Sequence, residues 1–429
     1  MTVPFELSAR GRRTEEPPIS WLMKFALEHP ECISLAAGFV DYDTLPVPVV
    51  REIAAELTAD AGTGREALQY GTTIGYEPLR RQIVDRLARE DGMTADSHGF
   101  TADNAVVTTG SQQLLFLISD VLLDPGDIVI LGAPSYFVYM GILQSMGAAV
   151  RSVPMDGDGM DVDALDAALA EIDAAGDLHR VKLIYCVSYF QNPMGVSLSG
   201  PRRERIVEIA QRYSRDHRIF ILEDAAYKEL RFAEPGLPPI KTYDPTNEWV
   251  LYTGTFCKPF SAGLKVGFGI LPEEVLVPVL RQKGNHDFGS ANFNQMIVSR
   301  AIERGDYDRH VVTVREGYRH KKTVMADAIR EHFPEQTRWY DPGGGLYIWT
   351  EFPPQIATGP NSCYFTGALE RGVLYVPGEY AFYADSGAAP CRSAMRLSYG
   401  VAPADAVAEG AKRLGQLACE LLDQAAALA

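Results

Sequence analysis

Short apolar runs alternate with segments of helical period through the middle of the chain, from about residue 101 to 270. The helical segments lie at 112–123, 136–146 and 201–215. Strands that alternate with helices are typical of a mostly parallel sheet covered on both faces, so we expect an α/β fold. The runs that predict strands are 104–109, 127–132, 181–188, 219–224, 249–254 and 265–270.

The pattern changes on both sides of this region. Residues 77–90 predict an amphipathic helix with Pro78 in its first turn. The C-terminal part predicts a helix at 306–333, hairpin-like segments around 343–352 and 395–400, and a last helix from Pro403. Helices combined with short strands indicate a second, smaller α+β domain. We expect an N-terminal arm and part of the small domain in 1–50, a large domain in 51–300, and the remainder of the small domain in 301–429.

The composition is typical of a cytoplasmic enzyme. The 429 residues are 46% hydrophobic and 22% charged, as in ordinary globular proteins. The net charge of −16 disfavours nucleic-acid binding, and no apolar run reaches the roughly 18 residues of a membrane span. Six scattered cysteines without a C-x-x-C pair are typical of reduced thiols. Together with eight scattered histidines, they give no expectation of a metal site.

Side chains capable of chemistry follow several of the predicted strands. Asp224 and Lys258 each stand at the end of one, where open α/β sheets bind their ligands. Tyr227 comes three residues after Asp224, and Asn192 stands in an Asn-Pro turn after the strand at 181–188. Taken singly, each of these residues also has an ordinary structural explanation, as a loop lysine, a helix cap or a turn.

A segment of small residues, Thr109-Gly-Ser111-Gln112, follows the first predicted strand and opens a helix. Free backbone N–H groups and the positive end of the helix dipole meet at such a terminus, so the segment suits a phosphate group. Helix capping by Ser111 explains the same residues equally well.

Together and in this order, the motifs resemble those of fold type I pyridoxal-phosphate enzymes of the class I/II aminotransferase family. The subgroup that they resemble contains 2-aminoadipate and kynurenine aminotransferases. The likeness extends from Ile33-Ser-Leu-Ala-Ala-Gly through Leu68-Gln-Tyr-Gly to Met395-Arg-Leu-Ser-Tyr. It implies a large domain with a mostly parallel central sheet, a smaller α+β domain, and transfer of an amino group between an L-amino acid and a 2-oxo acid.

The resemblance gives the strand-end residues roles around pyridoxal 5′-phosphate. Lys258 matches the lysine that holds the cofactor as a Schiff base and moves the substrate's α-proton. Asp224 matches the carboxylate that keeps the ring nitrogen protonated. Asn192 and Tyr227 match the residues that hydrogen-bond the ring oxygen, and Tyr136 matches the aromatic side chain that stacks on the ring.

Further matches concern the cofactor's phosphate group. Ser111, Gln112 and Thr255 match its hydrogen-bond donors. Lys265 stands where the family usually has an arginine, and it keeps the positive charge without the planar fork. Tyr70 matches a tyrosine that reaches the phosphate from the neighbouring subunit, which implies a homodimer with shared active sites.

The resemblance also implies where the substrate binds. Arg396 matches the arginine whose guanidinium binds the substrate's α-carboxylate. Gly38 and Asn192 match positions that approach the substrate. Cys257, beside the lysine, we interpret as a packing residue. The segments 39–44 and 285–294 depart from the family's common pattern, so the identity of the substrate stays open.

Two other functions stay open at this point. The same cofactor and fold support decarboxylation, oxidative deamination or elimination, according to which substrate bond stands perpendicular to the ring. A non-catalytic effector-binding module, like those fused to winged-helix repressors, is the less favoured alternative because few residues precede the matching region.

Overall fold

An eight-stranded sheet lies at the centre of the chain in this computed structural model, which describes residues 5–90, 99–234 and 236–428. The order across the sheet is β2-β9-β8-β7-β6-β3-β4-β5. Its five adjacent strands β8, β7, β6, β3 and β4 are parallel to one another. The prediction of a mostly parallel sheet is therefore confirmed. The strands of the described residues are β1 (Ile33–Ser34), β2 (Ala105–Thr109), β3 (Ile128–Ala133), β4 (Ala149–Asp156), β5 (Gly159–Met160), β6 (Val181–Val187), β7 (Phe220–Asp224), β8 (Val250–Thr255), β9 (Val266–Ile270), β10 (Arg338–Trp339), β11 (Tyr347–Glu351), β12 (Val373–Leu374), β13 (Val376–Pro377) and β14 (Ala394–Ser398).

Helices cover both faces of this sheet, and each predicted helix is present within three residues of its expected bounds. In the described part of the chain, no helix has the length and apolar character that a membrane span requires. The helices are α1 (Ala9–Arg13), α2 (Pro18–Glu28), α3 (Val47–Leu57), α4 (Ala61–Leu68), α5 (Glu77–Glu90), α6 (Gly110–Leu122), α7 (Phe137–Met146), α8 (Val162–Ala174), α9 (Gly200–Tyr213), α10 (Glu273–His286), α11 (Asn292–Glu303), α12 (Asp306–His332), α13 (Cys363–Glu370) and α14 (Ala404–Leu428).

The central strands are buried on both faces, which is why they appear as continuous apolar runs in the sequence. In β6, Leu183 and Tyr185 pack into one apolar cluster, whereas Ile184 and Cys186 pack into another on the opposite face. Strand β4 is absent from the predicted set. It lies near the edge of the sheet, and its exposed and half-buried positions interrupt the apolar run.

A second, antiparallel sheet is built from the C-terminal strands in the order β10-β11-β14-β13. Strands β10 and β11 pair locally, as predicted for the segment around 343–352. The hairpin predicted around 395–400 is wrong, because β14 pairs with the sequence-distant strands β11 and β13. Strand β1, near the N-terminus, pairs in parallel with β12.

Candidate active site

One edge of the central sheet gathers the residues singled out from the sequence. Strand β9 is antiparallel to both β2 and β8, so β2 runs in the same direction as β8 and its parallel neighbours β6 and β7. The carboxyl ends of these four strands therefore meet at one edge, where β9 begins. A cavity of about 390 Å³ lies there, within the size range of small-molecule sites. Eleven of the twelve predicted site residues line it: Gly38, Ser111, Gln112, Tyr136, Asn192, Asp224, Tyr227, Thr255, Lys258, Lys265 and Arg396.

Lys258 extends into the cavity from the turn that follows β8. Its Nζ donates a hydrogen bond of 2.8 Å to the carbonyl oxygen of Gly38 and lies 5.9 Å from the centre of the Tyr227 ring. Thr255, at the end of β8, fixes the turn, because its hydroxyl accepts from the backbone N–H of Cys257 and donates to the carbonyl of Val266. The lysine amine is therefore held at the sheet edge by the strand end itself.

Asp224 is the last residue of β7 and is buried. Its carboxylate accepts hydrogen bonds from the Tyr185 hydroxyl at 3.0 Å and from the backbone N–H of Ala226 at 3.1 Å. Burial raises the pKa of Asp224 to about 6, although both hydrogen bonds and the charge of Lys258 act in the opposite direction. A cation bound beside this carboxylate would favour its ionised form.

Arg396, on β14, is 1% exposed. Its Nη1 donates to Oδ1 of Asn192 at 2.9 Å and its Nη2 donates to the carbonyl of Ala36 at 2.7 Å. The buried Nε has no hydrogen-bond partner among the residues that the structure describes. Aromatic rings flank the guanidinium, with centroids 4.3 Å away for Tyr347 and 5.3 Å for Phe137. A buried cation whose hydrogen-bond partners are neutral favours an anion supplied by a ligand.

The start of helix α6 also borders the cavity. The side chain of Thr109, the residue before the helix, does not form a capping hydrogen bond. Gly110, the first residue of the helix, has a φ of +70°, a conformation that favours glycine. A Cβ on Gly110 would lie 3.7 Å from Nζ of Lys265, so the missing side chain leaves room between the helix terminus and an ammonium group. The structure thus provides N–H groups and positive charge for an anion such as phosphate.

Two predicted tyrosines differ in their placement. Tyr136 lines the cavity and donates a hydrogen bond of 3.1 Å to Oε1 of Gln112. Tyr70 lies outside the cavity formed by this chain and is 81% exposed, with its ring edge-on to Phe288 at 5.6 Å. The structure therefore does not bring Tyr70 to the other site residues within one chain.

The cavity also contains residues that the sequence did not identify. Tyr347 lies between Arg396 and Tyr227, and α2 contributes Ile19 and Met23. Cys257 lines the cavity as well, so the interpretation of this residue as packing alone was incomplete. Apolar residues at a site are indistinguishable from core residues in a sequence, which is why α2 gave no functional signal.

Comparison with known proteins identifies the family. The profile described as Aminotransferase class I and II matches residues 30–414. Aromatic-amino-acid aminotransferase 1 of Thermococcus litoralis is 32% identical over 412 residues, which cover 96% of this chain and 93% of that protein.

Two solved structures give the same result. Kynurenine aminotransferase of Pyrococcus horikoshii has a TM-score of 0.87 and 31% identity, with 97% of each chain covered. The α-aminoadipate aminotransferase of Thermus thermophilus has a TM-score of 0.84 and 30% identity, covering 97% of this chain and 98% of that one.

The fold and site therefore define a fold type I pyridoxal-phosphate enzyme. The chain belongs to the class I and II aminotransferase family, and its reaction is pyridoxal-phosphate-dependent transamination of amino acids. The predicted family, fold class, cofactor and reaction type are confirmed.

Proposed function

We propose that Lys258 is the amine that holds pyridoxal phosphate and moves the substrate's α-proton. The observation that carries this proposal is the convergence of eleven predicted residues on one cavity, with the Lys258 amine, the Asp224 carboxylate and the Arg396 guanidinium in separate positions. When bound, the cofactor supplies an aldehyde that reacts with amines and a ring that accepts the electron pair left by the α-proton. The Lys258 Nζ, hydrogen-bonded here to the carbonyl of Gly38, would accept that proton as a general base once the substrate's amine has freed it from the cofactor.

Residues at or just after the ends of β3, β6 and β7 would hold the cofactor ring. Asp224, buried and oriented by Tyr185, would keep the ring nitrogen protonated by pairing with its positive charge. The hydroxyl of Tyr227 and the amide of Asn192 would donate hydrogen bonds to the ring oxygen, and Tyr136 would stack on the ring face. All four residues line the cavity, which supports these assignments.

The phosphate group would lie at the N-terminus of α6. Ser111 and Gln112 would donate backbone and side-chain hydrogen bonds, and Thr255 would add its hydroxyl. Lys265 would contribute its charge as a single ammonium contact rather than a bidentate one. The space left by Gly110 between the helix terminus and Lys265 supports this placement.

The substrate's α-carboxylate would bind Arg396, whose guanidinium is buried between flanking rings and whose Nε has no partner in the described part of the chain. Asn192 holds one edge of that guanidinium, and the backbone of Gly38 would approach the substrate from the side of Lys258. Fixing the carboxylate orients the Cα–H bond relative to the ring, which is the geometric requirement of proton removal.

We further infer that the substrate has a neutral, largely apolar side chain. Among the described residues that line the cavity, the cations are Lys258, Lys265 and Arg396, and each already has a role. The remaining wall is apolar and includes Ile19, Met23, Phe39, Phe137 and Val138. The names of two relatives, an aromatic-amino-acid aminotransferase and a kynurenine aminotransferase, agree with such a side chain.

We also propose a cytoplasmic homodimer in which Tyr70 completes the partner's phosphate site. The support is the 81% exposure of Tyr70 on a chain whose own cavity does not contain it.

For the domains, we propose the division into 1–50, 51–300 and 301–429. Of these residues, 1–4, 91–98, 235 and 429 lie outside the described part of the chain. The pairing of β1 with β12 supports joining the N-terminal segment to the C-terminal domain.

Kinetics with phenylalanine, phenylalanine amide and glutamate test the substrate assignment. The wild type should prefer phenylalanine over both, because the amide lacks the α-carboxylate and glutamate carries a second one. Arg396→Lys keeps the charge but loses the fork, so kcat/KM for phenylalanine should fall at least about tenfold, near 1.4 kcal/mol, and the preference over the amide should shrink. Equal rates of the wild type with the amino acid and the amide would contradict the role of Arg396. Faster turnover of glutamate would contradict the apolar side-chain assignment.

A further inference from the structure

We propose that the Tyr347 hydroxyl is a positioning group that donates a hydrogen bond to the Tyr227 hydroxyl and thereby directs the Tyr227 proton toward the cofactor. The two hydroxyl oxygens are 3.4 Å apart, and the rings meet edge to face with centroids 5.8 Å apart at 81°. Both side chains are buried and line the active-site cavity. The inference rests on the proposed contact between Tyr227 and the cofactor's ring oxygen.

Tyr347 links the two halves of the site through its position in the C-terminal sheet. It pairs with Ser398 across β11 and β14, which makes Arg396 its diagonal neighbour on the same face. Its ring lies against the Arg396 guanidinium and its hydroxyl points to Tyr227, which follows β7 of the central sheet. Tyr347 is therefore in contact with the residue proposed for the substrate carboxylate and with one proposed for the cofactor.

The single proton of each hydroxyl decides which one donates, and the charges around the pair agree with that direction. Burial alone would raise the pKa of Tyr347, but the charges of Arg396 and Lys258 lower it. Burial raises the pKa of Tyr227, with further contributions from Tyr347 and Tyr136 in the same direction. Tyr227 has one hydroxyl proton, and the proposed contact with the cofactor's ring oxygen uses it, so Tyr347 must be the donor across the 3.4 Å that separates the two oxygens. Among the described residues, further titratable groups near the pair or the lysine are Asp224, Cys257, Lys265, Tyr318 and Tyr399.

The hydroxyl of Tyr347 also occupies a defined space beside the lysine. A Cβ on Gly38 would lie 2.6 Å from Oη of Tyr347, whereas the next nearest atom of that side chain is 3.7 Å away. Gly38 is the residue whose carbonyl accepts from Lys258. A larger residue at position 38 would collide with this hydroxyl, which therefore lies beside the backbone that accepts a hydrogen bond from the Lys258 amine.

The hydrogen bond has a measurable consequence for the bound cofactor. A hydroxyl that accepts a hydrogen bond becomes a stronger donor, so Tyr227 would donate more strongly to the ring oxygen. Stronger donation stabilises the anionic ring oxygen and favours loss of the proton from the nitrogen that joins Lys258 to the cofactor. Removing the Tyr347 hydroxyl should raise the pH at which that nitrogen loses its proton.

The test is a spectrophotometric pH titration of the holoenzyme. The colour of the bound cofactor shows whether the nitrogen that joins it to Lys258 is protonated. The midpoint should rise by about half a pH unit in Tyr347→Phe. In the Tyr227→Phe background, the same substitution should produce no further rise, because Tyr347 acts through Tyr227. Tyr364→Phe is the matched control, since it removes a buried hydroxyl that bonds to the carbonyl of Leu414 outside the cavity.

An unchanged or lowered midpoint in Tyr347→Phe, with the control also unchanged, would overturn the inference. An equal rise in the Tyr227→Phe background would overturn it too, because the effect would then bypass Tyr227. The proposed function fails in a different way: a wild-type protein without any pH-dependent cofactor band would contradict the lysine linkage itself, and this inference with it.

Discussion

At the scale of single residues, the site depends on charged groups that the fold buries before any ligand arrives. Asp224 is buried with two neutral hydrogen-bond donors, and Arg396 is buried with neutral acceptors. Within the described part of the chain, each group lacks a counter-charge in direct contact, which makes both expensive to bury and selective for a ligand of opposite charge. Preorganised charges of this kind need little rearrangement when the ligand binds.

Asp224 gives a pH-dependent prediction. Its pKa rises from an ordinary value of 3.8 to about 6. In the cofactor-free protein at a pH between these two values, the carboxyl is therefore protonated in the folded state and ionised in the unfolded state. Stability due to this group is complete below about pH 4 and is lost as the pH rises through 6. Relative to Asp224→Asn, which does not titrate, the wild type should lose on the order of 1–3 kcal/mol of unfolding free energy between pH 4 and 7.5.

Urea unfolding of both cofactor-free proteins at the two pH values measures this difference. Adding pyridoxal phosphate should reverse it in the wild type, because the ring's positive charge stabilises the ionised carboxylate. A difference between wild type and Asp224→Asn that is independent of pH would show that Asp224 is already ionised in the cofactor-free protein.

At the scale of elements, burial decided what could be predicted. Strands β6, β7 and β8 lie inside the sheet, so their continuous apolar runs and the polar residues that follow them were visible in the sequence. Strand β4, near the sheet edge, has no such run. The sequence could therefore predict the sheet edge at which the site lies, together with Asp224 and Lys258.

Long-range pairing could not be predicted in the same way. The partners of β14 come from β11 and β13, and no local pattern specifies which distant strands will pair. The role of Tyr347 depends on this pairing, since only the register of β11 with β14 brings its ring to Arg396. The same limit applies to α2, whose apolar residues reach the cavity from the start of the chain.

At the scale of the whole molecule, the exposure of the aromatic residue Tyr70 supports our proposal that a second copy completes the site. Its neighbours Leu68 and Phe288 are 72% and 59% exposed, so an apolar surface surrounds it. A mixture of Tyr70→Phe and Lys258→Ala subunits should regain activity on subunit exchange. One site of each hybrid dimer then combines the native Lys258 of one subunit with the native Tyr70 of the other.

Activity assays before and after exchange, with mass measurements of the assembly, test this arrangement. The Lys258→Ala parent should be inactive, and the Tyr70→Phe parent should have reduced activity because it lacks one hydrogen-bond donor to the phosphate. Tyr70→Phe taken alone through the same procedure is the control for exchange without complementation. Confirmed hybrids no more active than the parents would contradict a site shared between subunits.

The central claim is that Lys258 holds the cofactor, and the most direct measurement is peptide mass spectrometry after borohydride reduction of the holoenzyme. The reduced cofactor should be attached to the peptide that contains Lys258 and should be absent from Lys258→Ala. Lys265→Ala is the matched control, because Lys265 lines the same cavity and its loss should leave the attachment intact. Attachment at Lys265, or a reduced lysine adduct that persists in Lys258→Ala, would contradict the account.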